Sequence, residues 1–254
     1  QNAKLLDAMR SAVEKNELFL VYQPQLDLTQ SRITGVETLV RWRHEGKIVS
    51  PAEFIPLAER SGQIVAIGRW ILENACLFAK KLVTMGYQDI VVAVNISPRQ
   101  FSHPHFSQMV KDALEKAQLP AANLELEITE GVLLRSIEDT VRVMLKLKET
   151  GIQFSIDDFG TGYSSLQYLK KLPLEKLKID QSFVRNLGAN AEDMALCEAI
   201  IVMAHKLGIK VVAEGIETAE QQILLTQAGC DYGQGYLFSK PLPAAQFDDW
   251  YRTF

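Results

Sequence analysis

"IQFSIDDFGTGYSS", Ile152 to Ser165, begins as an apolar, strand-like run. It ends in two adjacent carboxylates, Asp157 and Asp158, followed by a Gly-Thr-Gly turn. Adjacent like charges cost free energy wherever they meet. A strand that ends in unpaired acids and leads through a glycine turn into a helical period is one β/α unit, and the same unit recurs in both directions along the chain. Strand patterns are "LFLVYQPQLDL" (18–28), "ITGVETLVRW" (33–42), "IVVAVNIS" (90–97), "LELEITE" (124–130), "EKLKID" (175–180), "KVVAEGIE" (210–217) and a short "CDYGQGY" (230–236). Helical periods fill residues 3–15, 51–61, 64–85, 106–117, 135–149, 163–170, 191–206, 218–228 and 243–252. Strands alternating with helices imply crossovers and a mainly parallel sheet. About eight such strands in a chain of this length suit an α/β barrel closed on itself.

The chain has 254 residues, of which 47% are hydrophobic, so a sizeable core is expected. No Pro/Gly/Ser-rich linker or charge block divides it, and residues 1–254 read as a single domain. The first residue is Gln1, and helical pattern starts at once; the expectation is a domain cut from a longer signalling protein. A net charge of −4 carries no footprint of a nucleic-acid polymer. Three scattered cysteines, Cys76, Cys197 and Cys230, argue against a disulfide framework or a thiolate metal site. A cytoplasmic location is expected, with no direct membrane contact from this domain, although a longer parent could be membrane-anchored.

Polar residues collect at the strand ends: Asn95; Glu125, Glu127 and Glu130; Asp157 and Asp158; Lys178 and Asp180; Glu214 and Glu217; Gln234. In a β/α barrel the C-terminal strand ends surround one mouth, where chemistry sits. Any one acid there reads equally well as a turn former or a helix cap. Together they would make an uncompensated negative mouth, which is prohibitive to bury without cations. Oxygen-only ligands select hard ions such as Mg²⁺ or Mn²⁺. Asp157 and Asp158 are therefore expected to be neutralised by metal ions, one carboxylate being able to bridge two ions about 4 Å apart. In "GVETLVRW" (35–42), period-2 alternation puts Glu37, Leu39 and Arg41 on one face and Thr38 on the other. Glu37 can then reach metals and Arg41 an anionic oxygen, unless the two form an interior ion pair. His44, His103, His105 and His205 show no metal-ligand grouping.

Taken in order, "ETL" (37–39), "VNIS" (94–97), "ELEITE" (125–130), "DDFGTGYSSL" (157–166), "LKID" (177–180), "AEGIET" (213–218) and "GQGYLFSKP" (233–241) resemble the EAL-domain phosphodiesterases of cyclic di-GMP signalling. The resemblance implies a TIM-like (β/α)₈ barrel with one antiparallel strand. It implies hydrolysis of bis-(3′-5′)-cyclic di-GMP to linear 5′-pGpG with two divalent cations, Mg²⁺ or Mn²⁺, and with Ca²⁺ inhibitory. By position it makes Glu37, Asn95, Glu127, Asp157, Asp158 and Glu214 metal ligands, with Asp157 bridging. Lys178 falls near the attacking water, and Lys178, Glu214, Glu37 and Asp157 form the catalytic group. Gln23, Leu39, Arg41, Asp180, Gln234 and Pro241 match substrate contacts, and Glu130 and Glu217 supporting carboxylates. Relatives pair as dimers, so a homodimer through Phe159–Leu169 is expected. The middle residue of the first motif departs from the family's Ala: it is Thr38. Two alternatives stay open: a receptor that binds the nucleotide without cleaving it, and an enolase-like metal-dependent barrel.

Overall fold

A computed structural model describes residues 2–134, 136–161 and 166–254 of the chain. Strand β1 (Leu18–Asp27) and strand β2 (Arg32–His44) form a hairpin, antiparallel from Leu18↔Trp42 to Asp27↔Arg32. The Asp27 carboxylate closes its turn by accepting from the Thr29 and Gln30 amides, both at 2.8 Å. Beyond His44 the chain folds back as β3 (Lys47–Val49), paired antiparallel with β2. The connecting residues Glu45 and Gly46 have φ of 48° and 76°. Two successive positive φ values make the two-residue turn whose twist matches a hairpin. The strand pattern 33–42 ends before this feature.

Next come β4 (Val91–Ile96), β5 (Leu124–Thr129), β6 (Gln153–Phe159), β7 (Lys176–Ile179), β8 (Lys210–Ala213) and β9 (Tyr232–Gly233). From β5 to β9 each pairs parallel with its predecessor, and β4 pairs parallel with β2. β9 returns to β1 antiparallel, through Leu26↔Gly233 and Asp27↔Tyr232, and so closes the barrel. β1 is thus the one strand of the barrel that runs against its neighbours, as the resemblance implies. A last short strand, β10 (Leu242–Pro243), pairs antiparallel with β1 at Val21 and Tyr22.

Alternation sorts the side chains into two layers. Leu124, Leu126 and Ile128 of β5, Phe154 and Ile156 of β6, and Leu177 and Ile179 of β7 join one buried apolar cluster with the surrounding helices. The long helix Ile64–Thr84 contributes Ile67, Ile71, Leu72, Ala75 and Leu82 to it. The other face of the same strands is polar and lines the barrel interior. Lys176 and Glu125 pair there at 2.7 Å, both buried, and the next residues along the same faces are Lys178 and Glu127. Two residues along a strand are about 6.6 Å, so the interior is stacked in polar storeys.

Several helices and strands are shorter than their sequence patterns. The first helix is Asn2–Arg10, ending before a chain reversal in which Asn16 takes φ 53°. The period over 135–149 becomes the helix Ile137–Lys148, started by Ser136, whose hydroxyl accepts from the Asp139 amide. Of the expected helix 163–170, Leu166–Leu169 is helical and residues 162–165 lie outside the described residues. β8 stops at Ala213 because Gly215 takes φ 71°, and β9 is only two residues long. That early stop lets two loops interlock. Ile216 donates to the Gln234 carbonyl at 3.1 Å, and Leu237 donates to the Ile216 carbonyl at 3.0 Å.

Gly235 makes the interlock possible, since a Cβ there would lie 2.1 Å from the Ile216 carbonyl oxygen and 2.3 Å from its nitrogen. Gly235→Ala is therefore expected to destabilise the domain by more than about 2 kcal/mol, at the upper range of overpacking costs. Urea unfolding followed by circular dichroism measures this; an unchanged midpoint would mean that the two loops can separate freely.

Candidate active site

At the mouth of the barrel one ammonium stands among carboxylates. Lys178 is 0% exposed. Its Nζ lies 2.9 Å from Glu127 Oε2, 2.9 Å from Glu214 Oε1, 3.2 Å from Glu37 Oε2 and 3.6 Å from Asp157 Oδ1. These residues arrive on five strands or strand ends, β2, β5, β6, β7 and β8, so only barrel closure unites them. Burial alone would lower the lysine's pKa, but Asp157, Glu127, Glu214 and Glu37 raise it well above the ordinary value. The acids respond differently to the shared charge. Burial pushes Glu127 and Glu214 well above the usual carboxylate range, and neighbouring acids add to the push, against which Lys178 is insufficient. Burial also opposes ionisation of Glu37, yet Lys178 and the amide donors of Gln234 and Asn95 hold it below the usual range.

The paired aspartates owe their placement to a β-bulge. The β6–β7 register shifts between Ile156 and Phe159, and Asp158 takes the left-handed conformation, φ 55°. A bulge re-aims side chains that strict alternation would send to opposite faces. Both acids consequently face the mouth, with the Asp158 amide donating to Asp157 Oδ1 at 2.9 Å. Partial burial and the Asp157 charge push Asp158 up to about 6, and neighbouring Asp180 contributes.

The donor set suits divalent cations. Carboxylate oxygens of Glu37, Asp157 and Glu214 lie within 4.8 Å of one another, and so do those of Asp158, Asp180 and Glu214. Glu127 Oε1 is buried and has no hydrogen-bond partner, which leaves it able to serve as a cation ligand. Asn95 donates its Nδ2 to Glu37 Oε1 at 2.8 Å, which leaves its carbonyl oxygen as a potential ligand. All six expected ligands are thus at the mouth, and the two trios share Glu214. Asp180, expected only as a substrate contact, converges with two of these acids while its Oδ2 accepts from the Ser182 amide at 2.9 Å.

Beside the acids opens a cleft of about 400 Å³ lined by Gln23, Leu39, Arg41, Asp180, Gln234 and Pro241, every one of the expected substrate contacts. Glu37, Leu39 and Arg41 share the inner face of β2 as alternation requires. The Arg41 guanidinium is half-buried and donates to the Val40 carbonyl at 2.9 Å. Glu217 lines the outer cleft, and Glu130 stands at the start of a 3-10 turn directly after β5. No histidine belongs to either acid trio. Gln25 is the inner residue that sequence reasoning missed. Its Nε2 donates to Gln234 Oε1 at 2.7 Å. The signal was available, since Gln23 and Gln25 alternate onto one face of "YQPQL". Thr38 faces the other way, as expected. It lines an adjoining cavity of about 500 Å³ that shares Leu39, Arg41 and Asp158 with the cleft, reaches Asn95 and Asp157, and is walled from the helical side by Ile55, Ile64 and Ile71. Its buried Oγ1 has no partner.

The EAL domain family model matches residues 6–241. The chain belongs to the EAL family. It is 42% identical to the cyclic di-GMP phosphodiesterase NbdA of Pseudomonas aeruginosa, over 100% of this chain and 33% of that protein. It is 43% identical to the signaling protein YkoW of Bacillus subtilis, over 95% of this chain and 30% of that one. The chain thus spans about a third of the length of these curated relatives. Among solved structures, the PaMucR phosphodiesterase in complex with c-di-GMP superposes with a TM-score of 0.92 at 41% identity, covering 96% of this chain and 99% of that one. The EAL enzyme Bd1971, bound to cAMP and cyclic-di-GMP, superposes with a TM-score of 0.94 at 36% identity, covering 98% of this chain and 69% of that one. In this EAL domain, family membership removes the enolase-like alternative.

Lys178→Met is expected to destabilise the cation-free EAL domain by about 3–5 kcal/mol, because the acids lose their one buried counter-charge. Added Mn²⁺ should then raise the variant's melting temperature more than it raises the wild type's. Thermal unfolding with and without Mn²⁺ checks this; equal shifts would separate Lys178 from the cation site. Thr38→Val replaces an unpartnered hydroxyl with a methyl on the helical side. It should stabilise by about 1 kcal/mol, since a buried unsatisfied polar group costs about 1–3 kcal/mol. Urea unfolding measures this, and a loss of stability would show that the hydroxyl has a partner such as water.

Proposed function

We propose that this EAL domain hydrolyses one phosphodiester of cyclic di-GMP to linear 5′-pGpG with the help of two divalent cations, Mg²⁺ or Mn²⁺. The observation that carries the reading is the meeting of four carboxylates around Lys178, with Asn95 on Glu37 and Asp158 beside Glu214, next to a cleft lined by the positions that match substrate contacts. The relatives named as cyclic di-GMP phosphodiesterases support it. Bound cations would neutralise the acids and lower the pKa of an attacking water. The residues to hold them are Glu37, Asn95, Glu127, Asp157, Asp158 and Glu214. Arg41 faces the cleft and offsets negative charge on the phosphate. Lys178 is held protonated by its acids, so its part is to donate to and orient the water. Glu214, whose Oε1 lies 2.9 Å from Lys178 Nζ, is the group to take the water's proton. The ribose 3′ oxygen leaves, and the product keeps a 5′ phosphate.

We further propose that the domain acts within a longer signalling protein and in a reducing, cytoplasmic setting. All three cysteines are free and buried. No helix among the described residues is long and apolar enough to cross a membrane. For self-association, the segment Phe159–Leu169 divides: Phe159 and Leu169 are buried, whereas Leu166 is 59% exposed and Tyr168 is also exposed. That exposed pair supports a homodimer through this region, directly downstream of the Asp157–Asp158 bulge.

Incubation with cyclic di-GMP and chromatography for pGpG tests the activity. Turnover should vanish in EDTA, return with Mg²⁺ or Mn²⁺, and not return with Ca²⁺, whose longer bonds and higher coordination number spoil the geometry. Glu37→Ala and Asp157→Asn should each lose at least about a hundredfold in turnover, about 2.7 kcal/mol of barrier. Binding without product in the wild type would mark a receptor. In a two-fold dimer the same patch meets itself, so Leu166→Asp should weaken association and turnover together. Sedimentation alongside kinetics reads both, and no change in either would remove the dimer proposal.

A further inference from the structure

A side-chain amide can face a carboxylate in two ways, and only one of them attracts. Gln234 presents Nε2 to Glu37 Oε2 at 2.6 Å, and the same nitrogen lies 3.4 Å from Gln23 Oε1. Turned over, its carbonyl oxygen would stand against a carboxylate oxygen, and the contact would become repulsive. What fixes the amide lies on its far side. Gln25 Nε2 donates to Gln234 Oε1 at 2.7 Å, a hydrogen bond that exists only while the carbonyl points away from Glu37. Donors and acceptors therefore alternate from Gln25 through Gln234 to Glu37, and the pattern is consistent in one direction only.

Gln25 is 2% exposed and does not line the substrate cleft. It sits at the β1 irregularity where the register with β2 shifts between Gln25 and Leu26. Opposite it is Gly35, where an added Cβ would come within 3.3 Å of Gln25 Oε1, so the missing side chain leaves the amide its room. A buried amide outside the cleft lining that donates to Gln234, the group that in turn donates to Glu37, has a positioning role.

We propose that Gln25 is a positioning residue of this EAL domain: by holding the Gln234 amide in one orientation, it aims a donor at Glu37 and fixes that carboxylate for cation binding. The last step rests on the reading of Glu37 as a metal ligand; the orientation of Gln234 does not. Gln25 and Gln234 come from opposite ends of the chain, 209 positions apart, so the contact also ties the first barrel strand to the last.

Gln25→Met keeps the approximate size of the side chain and removes its donor. In the cation-free protein, the Gln234 side-chain amide resonances, assigned by their loss in Gln234→Leu, should shift and exchange faster with water in Gln25→Met. Isothermal titration with Mn²⁺ should show about tenfold weaker binding for Gln25→Met than for wild type. In a Gln234→Leu background the same change should matter less than twofold, because its route of action is gone. An equal loss in both backgrounds would give Gln25 a general packing role and overturn the proposal. Unchanged Gln234 resonances in Gln25→Met would overturn it as well. If wild-type protein bound no Mn²⁺, the metal reading of Glu37 would fall and the proposal's cation-binding step with it, while the amide spectra would still decide whether Gln25 orients Gln234.

Discussion

One buried ammonium facing more carboxylate than it can neutralise is the constraint on which the rest of this structure depends. Lys178 has no exposed surface and lies within 4 Å of Glu37, Glu127, Asp157 and Glu214. A lone buried charge is very unfavourable, and removing one partner of a buried pair usually costs more than the pair ever gained. The cluster eases its excess charge by raising the pKa values of Glu127 and Glu214, where burial and like charges disfavour ionisation. A cation bound among these acids would displace any proton they carry, so metal binding and proton release would be linked. The same cost explains why the acids occupy one end of a closed barrel, with a large apolar layer outside the strands to stabilise the whole.

The polar interior is an architectural choice as well as a chemical one. Barrels of this class commonly fill their interior with branched apolar side chains. Here the interior faces of β5, β6 and β7 carry Glu125, Glu127, Ser155, Lys176 and Lys178, and the apolar residues of those strands face the helices. The lower storey is closed by the buried Lys176–Glu125 pair, a self-neutralising arrangement. The upper storey lacks that balance, and the imbalance separates a structural layer from one able to take up cations. The bulge at Asp157 and Asp158 sharpens the difference by adding a second aspartate to the mouth where regular pleating would allow one.

β1 supplies the remaining order. Running against both its neighbours, it brings Gln23 and Gln25 beside β2 on one side and near the 233–241 loop on the other. Gln23 donates to the Ser239 carbonyl at 3.3 Å, and Gln25 to Gln234. Amides suit this seam because each carries a donor and an acceptor, and so can connect a carboxylate on one side to backbone on the other without adding charge.

The sequence by itself determined the β/α alternation, the inner and outer faces of the regular strands, and most of the polar residues that gather at the mouth. Periods of two and 3.6 are local properties, and acids at strand ends have few other uses in such number. Spacing alone put Glu37, Leu39 and Arg41 on one face without Thr38, and those three line the cleft while Thr38 does not. Only the tertiary structure decided which carboxylates meet, because distances among residues on five strands depend on the stagger of a closed sheet. It placed Asp180 with Asp158 and Glu214, since a cap residue's direction follows from the turn it closes. It revealed the Asp157–Asp158 bulge, because a left-handed aspartate leaves no periodic trace. And it set Gln25 against Gln234, a contact across 209 positions that no local pattern can encode.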